Sequence, residues 1–123
     1  MKRKKILVVE DNPMNMELIS DLLEISGYEV LKAMSGKEMF KIIGSVSTVP
    51  DLILMDVQIP EVDGLMLTKS LKENLLTRGI PVIALTAHAM KGDREKALEA
   101  GCIDYISKPI NTREFVSRIS KYL

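Results

Sequence analysis

Three short apolar runs punctuate the chain: Ile6-Leu7-Val8-Val9, Leu52-Ile53-Leu54-Met55 and Val82-Ile83-Ala84-Leu85. None alternates with polar residues, so each reads as a strand buried on both faces, as in a parallel sheet. Two weaker runs, Glu29-Val30-Leu31-Lys32-Ala33 and Ile103-Asp104-Tyr105-Ile106, mix polar residues in and are expected at the sheet edges. Helical spacing fills the gaps. From Pro13 to Ser26, Met14, Leu18, Leu22 and Ile25 form a stripe that Ile19 and Leu23 widen. Asn12-Pro13 opens that helix and Gly27 stops it. On this pattern Met14 faces the core, while Met16 is undecided. Ser35-Gly36-Lys37-Glu38 has the capping-box form and starts a second helix through Ile43. A third runs from Gly64 to Glu73 with Leu67 and Leu71 on one face. A fourth runs from Lys91 to Ala100 and stops at Gly101. The fifth follows Asn111-Thr112 and carries Phe115, Ile119 and Leu123 at i, i+4, i+8.

Five strands alternating with five helices predict one α/β doubly wound domain over residues 1–123, with right-handed crossovers and helices on both faces of the sheet. Its 123 residues can bury a core without a disulfide or structural metal. The 17 basic and 17 acidic side chains cancel, which speaks against bulk electrostatic binding of nucleic acid or of an anionic membrane. The cluster Lys2, Arg3, Lys4, Lys5 reads as a solvated lead-in to the first strand. No apolar run approaches the roughly 20 residues of a membrane span. The single cysteine, Cys102, precludes an internal disulfide, fits a cytoplasmic setting and reads as a small buried side chain.

Sheets of this kind bind ligands outside the carboxyl ends of their strands. There the chain places Glu10-Asp11 after the first strand, Asp56 after the third, Thr86 after the fourth and Lys108-Pro109 after the fifth. A polar strand end taken singly is ordinary; five on one rim are not. Carboxylates gathered around a point repel one another unless a cation sits there, and an oxygen-only set suits Mg²⁺. One carboxylate then remains free to take a phosphoryl group, with a lysine and a hydroxyl to stabilise its oxygens.

The stretches Ile6 to Pro13, Leu52 to Pro60, Val82 to Ala87 and Tyr105 to Pro109 together resemble the receiver domain of bacterial two-component response regulators, the fold of the chemotaxis protein CheY. The segment from Thr86 to Asp93 and the lack of a second domain resemble stand-alone regulators of the DivK kind, or a receiver cut from a hybrid kinase. The resemblance implies strand order 2-1-3-4-5. It makes Asp56 the phosphoacceptor and Asp56, Lys108 and Thr86 the catalytic set. It makes Glu10, Asp11, Asp56 and the Gln58 backbone carbonyl the ligands of Mg²⁺, with Mn²⁺ able to substitute. Thr86 and Tyr105 become the switch pair, and the Lys108-Pro109 bond is expected to be cis. Glu10 departs from the family's usual Asp by one methylene. Gln58 and His88 stand where the family varies to tune phosphate lifetime, although a solvated residue at a loop–helix junction is an equal reading of His88.

The implied function is a signalling module whose output is a binding event. A histidine kinase or histidine phosphotransfer protein would donate to Asp56. The domain would catalyse that transfer and its own dephosphorylation. A downstream protein would read the face formed by the fourth helix, fifth strand and fifth helix. Neither nucleic acid nor membrane is expected as partner, and a monomer is expected rather than a dimer. Two other classes stay open beside it. One is a Mg²⁺-dependent phosphohydrolase, which would need a second acid where Gln58 stands. The other is a phosphate-independent pseudo-receiver or flavodoxin-like binder, against which the acidic first loop speaks. Gly64 is read as a permissive backbone where the third helix begins.

Overall fold

A computed structural model describes residues 3–45, 49–59, 62–87 and 92–123, the side chains of Ile59 and Val62 excepted. Five strands form one parallel sheet: β1 (Lys5–Val9), β2 (Glu29–Ala33), β3 (Leu52–Asp56), β6 (Val82–Thr86) and β7 (Asp104–Ser107). Their order, β2-β1-β3-β6-β7, is the expected 2-1-3-4-5 once the sheet strands alone are counted. The apolar runs occupy the three central strands and are fully buried, whereas the mixed runs lie at the edges, where one side of the strand has no neighbour.

The sheet has two apolar faces because successive side chains of a strand point opposite ways. Leu7, Val9, Ile53 and Met55 pack with Met39 of α2 (Gly36–Ile43), Leu67 and Leu71 of α3 (Gly64–Glu73) and Ala97 of α4 (Asp93–Ala100). Ile6, Val8, Leu52 and Leu54 pack with α1 (Pro13–Ile25) and α5 (Thr112–Ser120). Leu123, placed on the stripe of the last helix, packs against this second face from beyond the end of α5. α4 opens on Gly92 in the left-handed region; Lys91, assigned to this helix from sequence, lies outside the described residues, as does His88.

Helix α1 corrects the sequence reading. Met14 and Ile25 are 80% and 84% exposed, and Leu18 is also exposed. The buried face is Met16, Ile19, Ser20 and Leu23. Ile19 and Leu23, the flank of the expected stripe, are on that face, whereas Met14, Leu18 and Ile25 are not; both sets have helical spacing, so periodicity could not separate them. Ser20 sits in the middle of the true core face and breaks its apolar signature. The direction in which the chain leaves β1, with Asn12 accepting from the Met14 and Asn15 N–H groups, selects the phase.

The capping box at α2 is present in a shifted form. Ser35 Oγ accepts from the Glu38 N–H, while Glu38 reaches back to the Met34 N–H rather than that of Ser35. Between β3 and α3 lies a hairpin that the sequence did not announce, β4 (Gln58–Ile59) paired antiparallel with β5 (Val62–Asp63). It returns the chain so tightly that α3 starts against the end of β3. A Cβ on Gly64 would stand 2.3 Å from the Asp56 carbonyl oxygen and 2.7 Å from the Val57 Cα. The glycine is required for space, and the reading of it as a permissive backbone is replaced by close approach.

Candidate functional site

The carboxyl ends of β1, β3, β6 and β7 meet at one rim. Glu10 continues the β1 ladder, its N–H donating to the Ala33 carbonyl, so its side chain is carried inward and has no exposed surface. Asp56 closes β3 and is 3% exposed. Lys108 follows β7, its N–H held by the Thr86 carbonyl, and the Lys108-Pro109 bond is cis as expected. Its Nζ donates to Glu10 Oε1 at 2.6 Å and to Asp56 Oδ2 at 3.2 Å. The Gln58 N–H donates to Asp56 Oδ1 at 2.9 Å, so the β4–β5 hairpin aims the carboxylate that it follows.

Glu10, half-buried Asp11 and Asp56 each offer a carboxylate oxygen, and these oxygens lie within 4.8 Å of one another. Three carboxylates against one ammonium leave two negative charges, the complement of one divalent cation. The donors are all oxygen, so the residues fit Mg²⁺. Without a cation the strain appears in the proton affinities. Burial, with repulsion from Asp56, pushes Glu10 up to about 7 despite the lysine beside it. Burial also works against the ionised form of Asp56. Its hydrogen bonds with Glu10, the Gln58 N–H and Lys108 outweigh that and hold it below the usual carboxylate range. Burial likewise works against the charged Lys108, but the two carboxylates prevail and raise it. Glu10 is therefore the partner that takes a proton, and Asp56 keeps its charge.

Thr86 ends β6, one residue beyond the Leu85 that pairs with Asp56, and is 3% exposed. It lines a cavity of about 230 Å³ together with Val57, Leu65, Lys96, Ala97 and half-buried Tyr105. Burial and the nearby Asp93 carboxylate hold the Tyr105 phenol above its usual range. Thus Thr86 and Tyr105 share a space big enough for a side chain, one residue from the acidic cluster. Cys102 lies apart: it is buried, its Sγ is 4.0 Å from Thr68 Oγ1, and burial pushes its thiol up. Among the described residues no helix is long and apolar enough to cross a membrane.

The five-stranded parallel sheet carries a carboxylate cluster and a lysine at its carboxyl rim, and residues 6–120 match the response regulator receiver domain. The chain belongs to that family. It is 51% identical over 120 residues to the polar-differentiation response regulator DivK of Brucella ovis, which covers 98% of this chain and 96% of the relative. The receiver domain of a sensor histidine kinase from Pseudomonas aeruginosa is 36% identical with a TM-score of 0.87, covering 98% of each chain, and carries a magnesium ion coordinated in its active-site cleft. The chemotaxis protein CheY4 of Vibrio cholerae, 23% identical over 99% of this chain and all of its own, shares the fold at a TM-score of 0.91. The chain is thus a DivK-like receiver domain of a two-component response regulator.

Several features were hidden from the sequence reading. The hairpin that aims Asp56 through the Gln58 N–H has strands of two residues each, too short for periodicity to register. The space requirement at Gly64 depends on contacts with the end of β3. The buried Asp104 beside Tyr105 was read only as part of an edge strand.

Proposed function

We propose that Asp56 is the phosphoacceptor of a cytoplasmic signalling domain spanning residues 1–123. The observation that carries this reading is the Lys108 ammonium placed 2.6 Å from Glu10 and 3.2 Å from Asp56, within the three-carboxylate cluster. A carboxylate oxygen of Asp56 attacks the phosphorus of a phosphohistidine carried by a histidine kinase or phosphotransfer protein. A P–O bond forms, the P–N bond breaks, and the imidazole leaves with the bond's electron pair and takes up a proton. Glu10, Asp11, Asp56 and the Gln58 carbonyl would hold Mg²⁺, with Mn²⁺ able to stand in. The bound ion supplies neutralisation of the phosphoryl oxygens. Lys108 exchanges its Asp56 contact for a phosphoryl oxygen, and the Thr86 hydroxyl donates to another. Hydrolysis of the acyl phosphate by water at the same site resets the domain, so it catalyses both steps of its own cycle.

The phosphoryl group brings roughly two negative charges to the rim. Thr86 moves toward it, Tyr105 follows into the cavity behind, and the face of α4, β7 and α5 changes for a downstream protein partner. The domain acts as a monomer in this reading. A phosphohydrolase of the haloacid-dehalogenase type needs a second Asp two places beyond its nucleophilic Asp, and Gln58, exposed, stands there instead. The test is intact mass after incubation with Mg²⁺ and acetyl phosphate, beside Asp56→Asn. One phosphoryl adduct, dependent on metal and missing from the variant, is expected. No adduct together with no Mg²⁺ binding by calorimetry would overturn the proposal.

A further inference from the structure

Beside the switch pair lies a polar cluster that phosphoryl transfer does not use. β7 is an edge strand, and the Lys108 N–H points to β6, where it meets the Thr86 carbonyl. Alternation along a strand then turns both backbone groups of Tyr105 outward, to the open rim. They are not left to water. The Tyr105 N–H donates to Asp104 Oδ1 at 2.7 Å, and Arg118 Nη2 of α5 donates to the Tyr105 carbonyl at 2.8 Å. The same Arg118 nitrogen pairs with Asp104 Oδ1 at 3.1 Å, and Tyr122 Oη donates to Asp104 Oδ2 at 3.0 Å. The Asp104 carboxylate, 8% exposed, thus gathers three donors, and Tyr105 is held by α5 directly at its carbonyl and through Asp104 at its N–H.

We propose that Arg118, braced by Asp104 and Tyr122, is a positioning residue that holds Tyr105 and so sets its access to the Thr86 cavity. This rests on the reading of Tyr105 as the switch aromatic. The backbone of that residue anchors the ring's pivot, and a pivot held on both sides restricts the directions in which the ring can enter the cavity. Because the clamp comes from α5, anything that engages the Arg118 guanidinium on that face also loosens Tyr105. The coupling is reciprocal: a Tyr105 drawn inward shifts the carbonyl that Arg118 grips, and the α5 end reports it. Asp56, Glu10 and Asp11 contribute no atom to the clamp, so the variants leave the phosphoacceptor cluster itself intact.

The experiment uses the full chain labelled with 3-fluorotyrosine. It carries three tyrosines, Tyr28, Tyr105 and Tyr122, so three fluorine resonances are assigned by single Tyr→Phe changes. Spectra are taken without phosphodonor and again with Mg²⁺ and beryllofluoride as the phosphoryl mimic. Arg118→Ala is expected to displace or broaden the Tyr105 resonance in the unmodified protein. Arg118→Lys, which keeps a cationic donor on a side chain of different reach, is expected to bring it part of the way back. Asp56 still takes a phosphoryl group from acetyl phosphate in both variants, because no clamp residue touches the acidic cluster. A Tyr105 resonance unchanged in Arg118→Ala overturns the proposal, and so does equal disturbance by Lys and Ala. Should Arg118→Ala fail to fold, Tyr122→Phe removes one donor to Asp104 and is read the same way. A wild-type Tyr105 that ignores beryllofluoride overturns the switch reading instead. The comparison of unmodified proteins still decides whether Arg118 holds Tyr105.

Discussion

Neutralising Glu10 stabilises this domain at alkaline pH in the absence of metal and destabilises it in the presence of metal. The side chain has no exposed surface and shares the rim with Asp56, and its carboxyl is raised from an ordinary 4.5 to about 7. A carboxyl that keeps its proton longer when folded makes the folded state lose stability as pH rises through that interval. The full difference corresponds to about 3 kcal/mol. The half-exposed Asp11 side of the cluster admits water, which brings the effect to roughly 2 kcal/mol. Asp56 acts in the opposite sense: held below its ordinary 3.8, it adds stability that is present above that pH and lost below it. Among the described residues the interval from pH 5 to pH 8 therefore separates Glu10 from Asp56. Glu10→Gln keeps the shape and an oxygen for Lys108 to bond while removing the charge. In EDTA at pH 8 the variant is expected to be more stable than the wild type by roughly 2 kcal/mol, with the gap closing toward pH 5. With Mg²⁺ at about a hundred times its dissociation constant, the wild type gains about 2.7 kcal/mol and the order reverses. Urea unfolding followed by far-ultraviolet circular dichroism at each pH measures both. A variant that is less stable at pH 8 without metal, or a gap that ignores pH, would refute the burial argument.

Other expectations follow from single contacts. Gly64→Ala drives a Cβ against the Asp56 carbonyl at 2.3 Å; a loss of about 1–3 kcal/mol in urea unfolding and slower labelling of Asp56 by acetyl phosphate are expected. Met16→Ala on the buried face of α1 is expected to lose about 2–5 kcal/mol, and Met14→Ala, at 80% exposure, no more than about 0.5 kcal/mol; equal effects in thermal unfolding would contradict the helix phase. Phe115→Ala, at 1% exposure between α5 and the sheet, is expected to lose about 3–5 kcal/mol by the same measurement.

The strands were readable because burial on both faces demands unbroken apolar runs, and the order of edge and centre because an edge strand tolerates Glu29, Lys32 and Asp104. The caps at Asn12, Ser35 and Asn111 were readable because each satisfies its own helix within a few residues. The rim was readable because strand ends in a parallel sheet point one way, so Glu10, Asp56, Thr86 and Lys108 had to share it. The individual roles, including the cis bond before Pro109, came through resemblance to the receiver family rather than through spacing.

What the pattern could not reach depended on contacts between distant segments. The stripe expected on α1 included Ile19 and Leu23, which are buried, but only docking against the sheet could add Met16 to them and leave Met14, Leu18 and Ile25 exposed. Gly64 looked like a turn residue until α3 was seen pressed onto the end of β3. Glu10 and Lys108, 98 positions apart, form their 2.6 Å contact only when β1 and β7 bring their carboxyl ends to the same rim, and burial there raises the Glu10 carboxyl while Asp56 is held low. Residue type and local period carry the elements. Phase, close approach and proton affinity are properties of the neighbours, and the fold alone supplies those.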